Sequence, residues 1–95
     1  MDALNDVAVF VQVVSRGSFT AAADTLGLSK SVVSKYLTRL EDRLGARLLN
    51  RTTRRLSLTE VGRAFFERSQ RGLLEIEEAE AEVDHIAENE AVERG

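Results

Sequence analysis

Seven residues able to bind a polar, anionic ligand, Ser29, Lys30, Ser31, Ser34, Lys35, Thr38 and Arg39, fall within one short stretch, SKSVVSKYLTR. If this stretch is helical, Ser31, Ser34, Lys35 and Thr38 gather on one side of the wheel, away from the stripe Val33, Leu37, Leu40 and Leu44. Hydroxyls both donate and accept hydrogen bonds, whereas a lysine ammonium only donates. A second cluster follows at NRTTRR, where Arg51, Arg54 and Arg55 flank Thr52 and Thr53. From Lys30 to Arg55 there are 8 basic residues against Glu41 and Asp42, a density that concentrates anions locally. On charge alone, a solvated basic surface explains the patch equally well.

Other chemistries lack their parts. The 95 residues contain no cysteine, which excludes disulfides and thiolate metal sites and fits a reducing compartment. His85 is the single histidine. With Asp84 and Glu88 it reads as a solvated helix face rather than a metal site, because two ligands at helical spacing on one helix are a weak cage. There is no glycine-rich phosphate loop, and the carboxylates crowd one segment instead of pairing for acid–base work. We therefore expect neither catalysis, cofactor nor metal. Asp2 and Asp6 stand where a secretory signal would be basic, and the apolar run around them is too short to span a bilayer. The reading is a soluble cytoplasmic protein with no membrane partner.

The net charge of −3 hides two opposite halves. Residues 1–72 hold 12 Lys or Arg against 7 Asp or Glu, giving +5, and residues 73–95 hold 1 against 9, giving −8. Proline is absent, so helices can run uninterrupted. Leu4, Val7, Val11 and Val14, with Phe10 beside them, predict a first helix that ends before Gly17. Ser18 then caps a helix over 19–26, closed by Gly27, and Ser29 caps a third over 30–44, closed by Gly45. The intervening turn is only GLS. Ala23 is small where two helices must approach, Gly27 allows a positive φ, and Val33 fills the angle, which together read as a helix-turn-helix. Leu48 and Leu49, then Leu56 and Leu58 alternating with Ser57, predict a two-stranded β-hairpin with the arginines at its tip.

Thr59 caps a last helix of roughly thirty residues, about 45 Å long. Gly72, Ile76, Ala79, Val83 and Ile86 alternate intervals of four and three, the seam spacing of a coiled coil. Phe65, Phe66, Ser69 and Leu73 extend that face toward the start of the helix, where it can also fold back onto the first three. The acidic distal half is best covered by the same helix of a second chain. The expected organisation is thus a domain over 1–58, a linker and dimerisation helix over 59–90, and a frayed end over 91–95.

The segments SFTAAA, LGLS, VSKYLTRLE, LGARLLNR and LSLTEVG occur in order between residues 17 and 62. This set resembles the N-terminal region of LysR-type bacterial transcriptional regulators. The resemblance implies a mainly α winged helix-turn-helix, three helices plus a two-stranded wing, followed by a linker helix that forms a dimeric coiled coil. It further implies binding of double-stranded DNA by a homodimer, with higher oligomers in a full-length protein. The small-molecule inducer belongs to a C-terminal domain absent from this chain, which ends at AVERG.

With that implication, the hydroxyl and lysine face becomes the surface for a major groove, where Ser31, Ser34, Thr38 and Lys35 can meet base edges. Family positions matching Lys30, Ser31, Ser34 and Lys35 make base or nearby backbone contacts. Ser18 and Thr20 open helix two, where amides and the helix dipole favour a phosphate, with capping the stronger role for Ser18. Ser29 belongs to the same surface. Arg51, Thr52, Thr53, Arg54 and Arg55 form the wing, with Arg54 assigned to a narrow minor groove and the others to flanking phosphates. Arg39 and Arg43 lie to the side, open to phosphate contact, ion pairing or solvent. The rival reading is a winged-helix module that binds another protein through an acidic coiled coil.

Overall fold

The computed structural model describes residues 3–50 and 55–94, in four helices. Helix α1 spans Ala3–Arg16, α2 Phe19–Leu26, α3 Lys30–Leu44 and α4 Glu60–Arg94. Each of the first three is closed by a glycine with positive φ. At Gly27 this makes the turn itself: its φ is 68°, and the Leu28 N–H reaches back to the Ala23 carbonyl at 2.9 Å. That bond satisfies a carbonyl left over at the helix end and swings half-buried Leu28 onto the core.

The predicted N-caps are in place. The Ser18 hydroxyl accepts from the Ala21 N–H at 3.0 Å, and the Ser29 hydroxyl from the Val32 N–H at 3.2 Å. Thr59 Oγ1 accepts from the Gly62 N–H at 2.9 Å while donating to the Arg47 carbonyl at 2.6 Å. Thr59 therefore ties the start of α4 to the segment leading out of α3.

The core is where α1, α2 and α3 meet. Phe10, Val13, Ala22, Val33, Leu37, Leu40 and Leu48 are fully buried, the larger of them contributing about 1.5–3 kcal/mol each. Phe10 lies at its centre, with ring centroids 5.8 Å from Phe65 and 6.3 Å from Phe66. Phe66 meets it edge-on, a favourable aromatic geometry. The seam residues Phe65, Phe66 and Leu73 thus pack against this chain's own core.

Two expectations differ in detail. Leu44 ends the predicted α3 stripe but is 39% exposed, and Glu41, one turn after Leu37, is only 4% exposed. Leu44 is the last helical residue before the Gly45 cap, and the Leu48 and Leu49 amides hold the Glu41 carboxylate inward. Among the described residues no extended strand forms: Leu49 and Leu58 make a single antiparallel bridge in place of the predicted pair of strands. The Asn50 N–H donates to the Ser57 carbonyl and the Thr59 N–H to the Leu48 carbonyl, the two bonds flanking that bridge. Helix α4 is continuous through Arg94, and no proline or glycine interrupts residues 91–94.

Candidate nucleic-acid interface

The α3 surface follows from which side its core residues claim. With Val33, Leu37 and Leu40 buried, Lys30, Ser31, Lys35, Thr38 and Arg39 are exposed and Ser34 is half-buried. One rigid helix therefore carries hydroxyls and cations side by side. Ser29 is exposed too; its oxygen already caps α3 and lies 3.4 Å from the Ser31 hydroxyl. Either of these two hydroxyls can be the donor to the other. Ser18 is half-buried with its oxygen on Ala21, and Thr20 is exposed at the start of α2.

Arg43 lies 4.0 Å from Asp6, the nearest approach of an ion pair between α3 and α1. Asp6 is 3% exposed, and its second oxygen, Oδ1, has no hydrogen-bond partner. Of the wing residues, Arg55 is described and exposed, whereas Arg51, Thr52, Thr53 and Arg54 lie outside the described residues. Beside the Leu49–Leu58 bridge, the Asn50 side-chain amide donates to Ser57 Oγ at 2.9 Å and to the Leu58 carbonyl at 3.2 Å.

Glu41 is the group that sequence reasoning missed, having counted it only as an acid diluting the basic patch. Its Oε2 accepts from the Leu48 N–H at 2.8 Å and the Leu49 N–H at 3.3 Å, and its Oε1 lies 3.4 Å from Arg47 Nη1. A buried carboxylate is tolerable only when paired and hydrogen-bonded, and these donors supply that. An apolar residue here would strand two buried amides, at about 1–3 kcal/mol each. Its place four residues after Leu37 was the available signal.

The exposed part of α4 is apolar along one line. Ile76, Val83 and Ile86 lie on it, all at least 40% exposed amid a dense run of carboxylates, while Leu74, 52% exposed, is on a different side of the helix. Ser69 is half-buried, and Gly72 and Ala79 are exposed on the same helix. Beside Ile76 an open groove of about 490 Å³ runs between α1, the end of α2 and α4, lined by Ala8, Val11, Leu26, Leu73 and Leu74. His85 approaches Asn89 at 3.4 Å, and among the described residues no group of three or more metal-ligating side chains converges. No described helix is long and apolar enough to cross a membrane.

Known proteins share this arrangement. The family model described as bacterial regulatory helix-turn-helix protein, lysR family, matches residues 4–63. An HTH-type transcriptional regulator of Xanthomonas campestris is 55% identical over 83 residues, covering 87% of this chain and 24% of that protein. The regulator CrgA of Neisseria meningitidis is 54% identical over 78 residues, covering 82% of this chain and 26% of CrgA. The chain thus spans about a quarter of the length of these relatives. The solved structure of CrgA, described as a LysR-type transcriptional regulator, superposes with a TM-score of 0.76 at 49% identity, over 93% of this chain and 30% of that one. The BenM DNA-binding domain, solved in complex with catB site 1 DNA, superposes with a TM-score of 0.85 at 32% identity, over 92% and 97% of the two chains. A core of three capped helices, an outward hydroxyl and lysine face on the third, and these likenesses have one common explanation: the chain belongs to the lysR family of bacterial regulatory helix-turn-helix proteins.

Proposed function

We propose that this chain binds double-stranded DNA sequence-specifically, as the DNA-binding part of a bacterial transcriptional regulator. The observation that carries this reading is the near-complete superposition on a domain solved with DNA, TM-score 0.85 over 92% of the chain. In this reading α3 enters the major groove. Ser31, Ser34 and Thr38 meet base edges, Lys35 meets guanine acceptors or a phosphate, and Lys30 meets a base or the backbone. Short hydroxyl side chains let the helix sit deep. Thr20 and the first amides of α2 take a phosphate, with Ser18 and Ser29 fixing the helix starts. The wing over 50–55 reaches a minor groove through Arg54, with Arg51, Thr52, Thr53 and Arg55 on flanking phosphates. Arg39 stands beside this surface as a further phosphate contact.

The active species in this reading is a homodimer paired through α4. Support comes from the exposed line Ile76, Val83 and Ile86 and from the apolar groove beside it. Ser69, Gly72 and Ala79 complete the seam, while Phe65, Phe66 and Leu73, which pack on this chain's own core, join α4 to the domain behind it. A two-fold dimer reads two major grooves one duplex turn apart, so its site is an interrupted inverted repeat.

Selection from a random duplex library at moderate salt tests the reading. The parent chain should enrich an inverted repeat. Lys35→Ala should return an altered motif, at a loss of about 1–3 kcal/mol on the parental site. Arg54→Ala should weaken all duplexes alike and reduce the slope of log affinity against log salt by about 1. A folded chain that enriches nothing and shows no salt-sensitive binding would replace this reading with a protein-interaction module.

A further inference from the structure

We infer that Glu41 is a positioning residue for DNA binding: through the Leu48 and Leu49 amides it holds residues 47–49, which lead into the proposed wing, against the recognition helix. The inference rests on the reading that the wing touches DNA, and it concerns a residue that faces away from DNA on the buried side of α3.

The Leu48 and Leu49 amides are held from the α3 side. Leu49 and Leu58 face each other as a non-hydrogen-bonded pair, since the flanking bonds run from Asn50 to Ser57 and from Thr59 to Leu48. The Leu49 N–H therefore points away from the opposite chain, and Glu41 Oε2 takes it together with the Leu48 N–H. Bonds from donors to an ionised carboxylate are stronger than neutral ones, and the 2.8 Å distance to Leu48 has the expected length. The same short segment offers its carbonyls to the other side: Leu48 O to the Thr59 N–H and Arg47 O to the Thr59 hydroxyl. Residues 47–49 are thus gripped by α3 through their amides and by the start of α4 through their carbonyls. The tip arginines begin two residues after Leu49. In the proposed reading those arginines contact DNA, so loosening this grip weakens binding through them.

A double-mutant cycle measured by fluorescence anisotropy on the selected duplex distinguishes positioning from general support. The variants are Glu41→Gln, which replaces one carboxylate oxygen by a donor facing donors, the pair Arg54→Ala with Arg55→Ala, and all three together. Glu41→Asp, which keeps the charge but withdraws it by one methylene, runs through the same cycle, so the result does not depend on Glu41→Gln folding. Far-UV circular dichroism and thermal melts confirm which chains are folded.

The expected result is that the Glu41 change raises Kd about tenfold with the wing arginines present and at most about twofold without them, a coupling typical of residues acting as a unit. It should also flatten the salt slope only when the arginines are there. Equal losses in both backgrounds would overturn the inference while leaving the wing reading intact. A parental affinity for the chain lacking both arginines would overturn the wing reading and the inference with it.

Discussion

Gly62 offers a quantitative check on how α4 is seated. It sits in the first turn of α4, against the backbone of Leu48. A methyl group added there would lie 2.8 Å from the Leu48 carbonyl carbon and 3.0 Å from its Cα, with the carbonyl oxygen nearer still. Restoring an ordinary contact of 3.4 Å needs a shift of at least 0.6 Å at the carbonyl carbon, and more at the oxygen. That oxygen accepts the Thr59 N–H at 3.0 Å, so the shift strains or breaks the bond that anchors the helix start. Overpacking of this kind costs about 1–3 kcal/mol, and the hydrogen bond adds about 1. The better helix propensity of alanine offsets about 1. Gly62→Ala should then destabilise by about 2 kcal/mol, a fall in Tm of about 10 °C for a chain this small. Gly72 is the control: a methyl group there meets nothing within 4 Å, so Gly72→Ala should stabilise by about 1 kcal/mol. Urea unfolding followed by circular dichroism at one protein concentration reads both. Equal stability of the two variants, within about 0.5 kcal/mol, would refute the close approach of α4 to Leu48.

Two further contrasts separate core from surface. Leu40→Ala should cost about 2–5 kcal/mol in urea unfolding, since Leu40 is fully buried, whereas Leu44→Gln, at a 39% exposed position, should stay within about 1. Phe66→Ala should lower stability by about 2 kcal/mol at every protein concentration, because the ring packs on Phe10 within one chain. Val83→Ser, at a 65% exposed site, should act only on the concentration-dependent part, as read by analytical ultracentrifugation.

The residues that start and stop the helices were legible because their work is local. Ser18, Ser29 and Thr59 cap amides three residues away, and Gly27 turns the chain at its own φ, so spacing alone reveals them. The outward face of α3 was legible for a similar reason: once Val33, Leu37 and Leu40 are taken as core, helical geometry places Ser31, Lys35 and Thr38 on the other side. The ordered segments between 17 and 62 supplied the family, which local physics does not.

What the tertiary structure decided depends on partners distant in sequence. Periodicity places Leu44 within the stripe and Glu41 at its edge, yet Glu41 is the buried one, because the amides of Leu48 and Leu49 donate to its carboxylate. The glycine at 62 looks like an ordinary weak helix position until Leu48 is seen against it. Phe65 and Phe66 fit a coiled-coil face equally well in one dimension; Phe10, more than fifty residues earlier, claims them for the core. Sequence alone determined the helices, their caps and the outward face of α3, whose causes lie within a turn or two of chain. The grip on residues 47–49 and the seating of α4 are set by groups that only folding brings together.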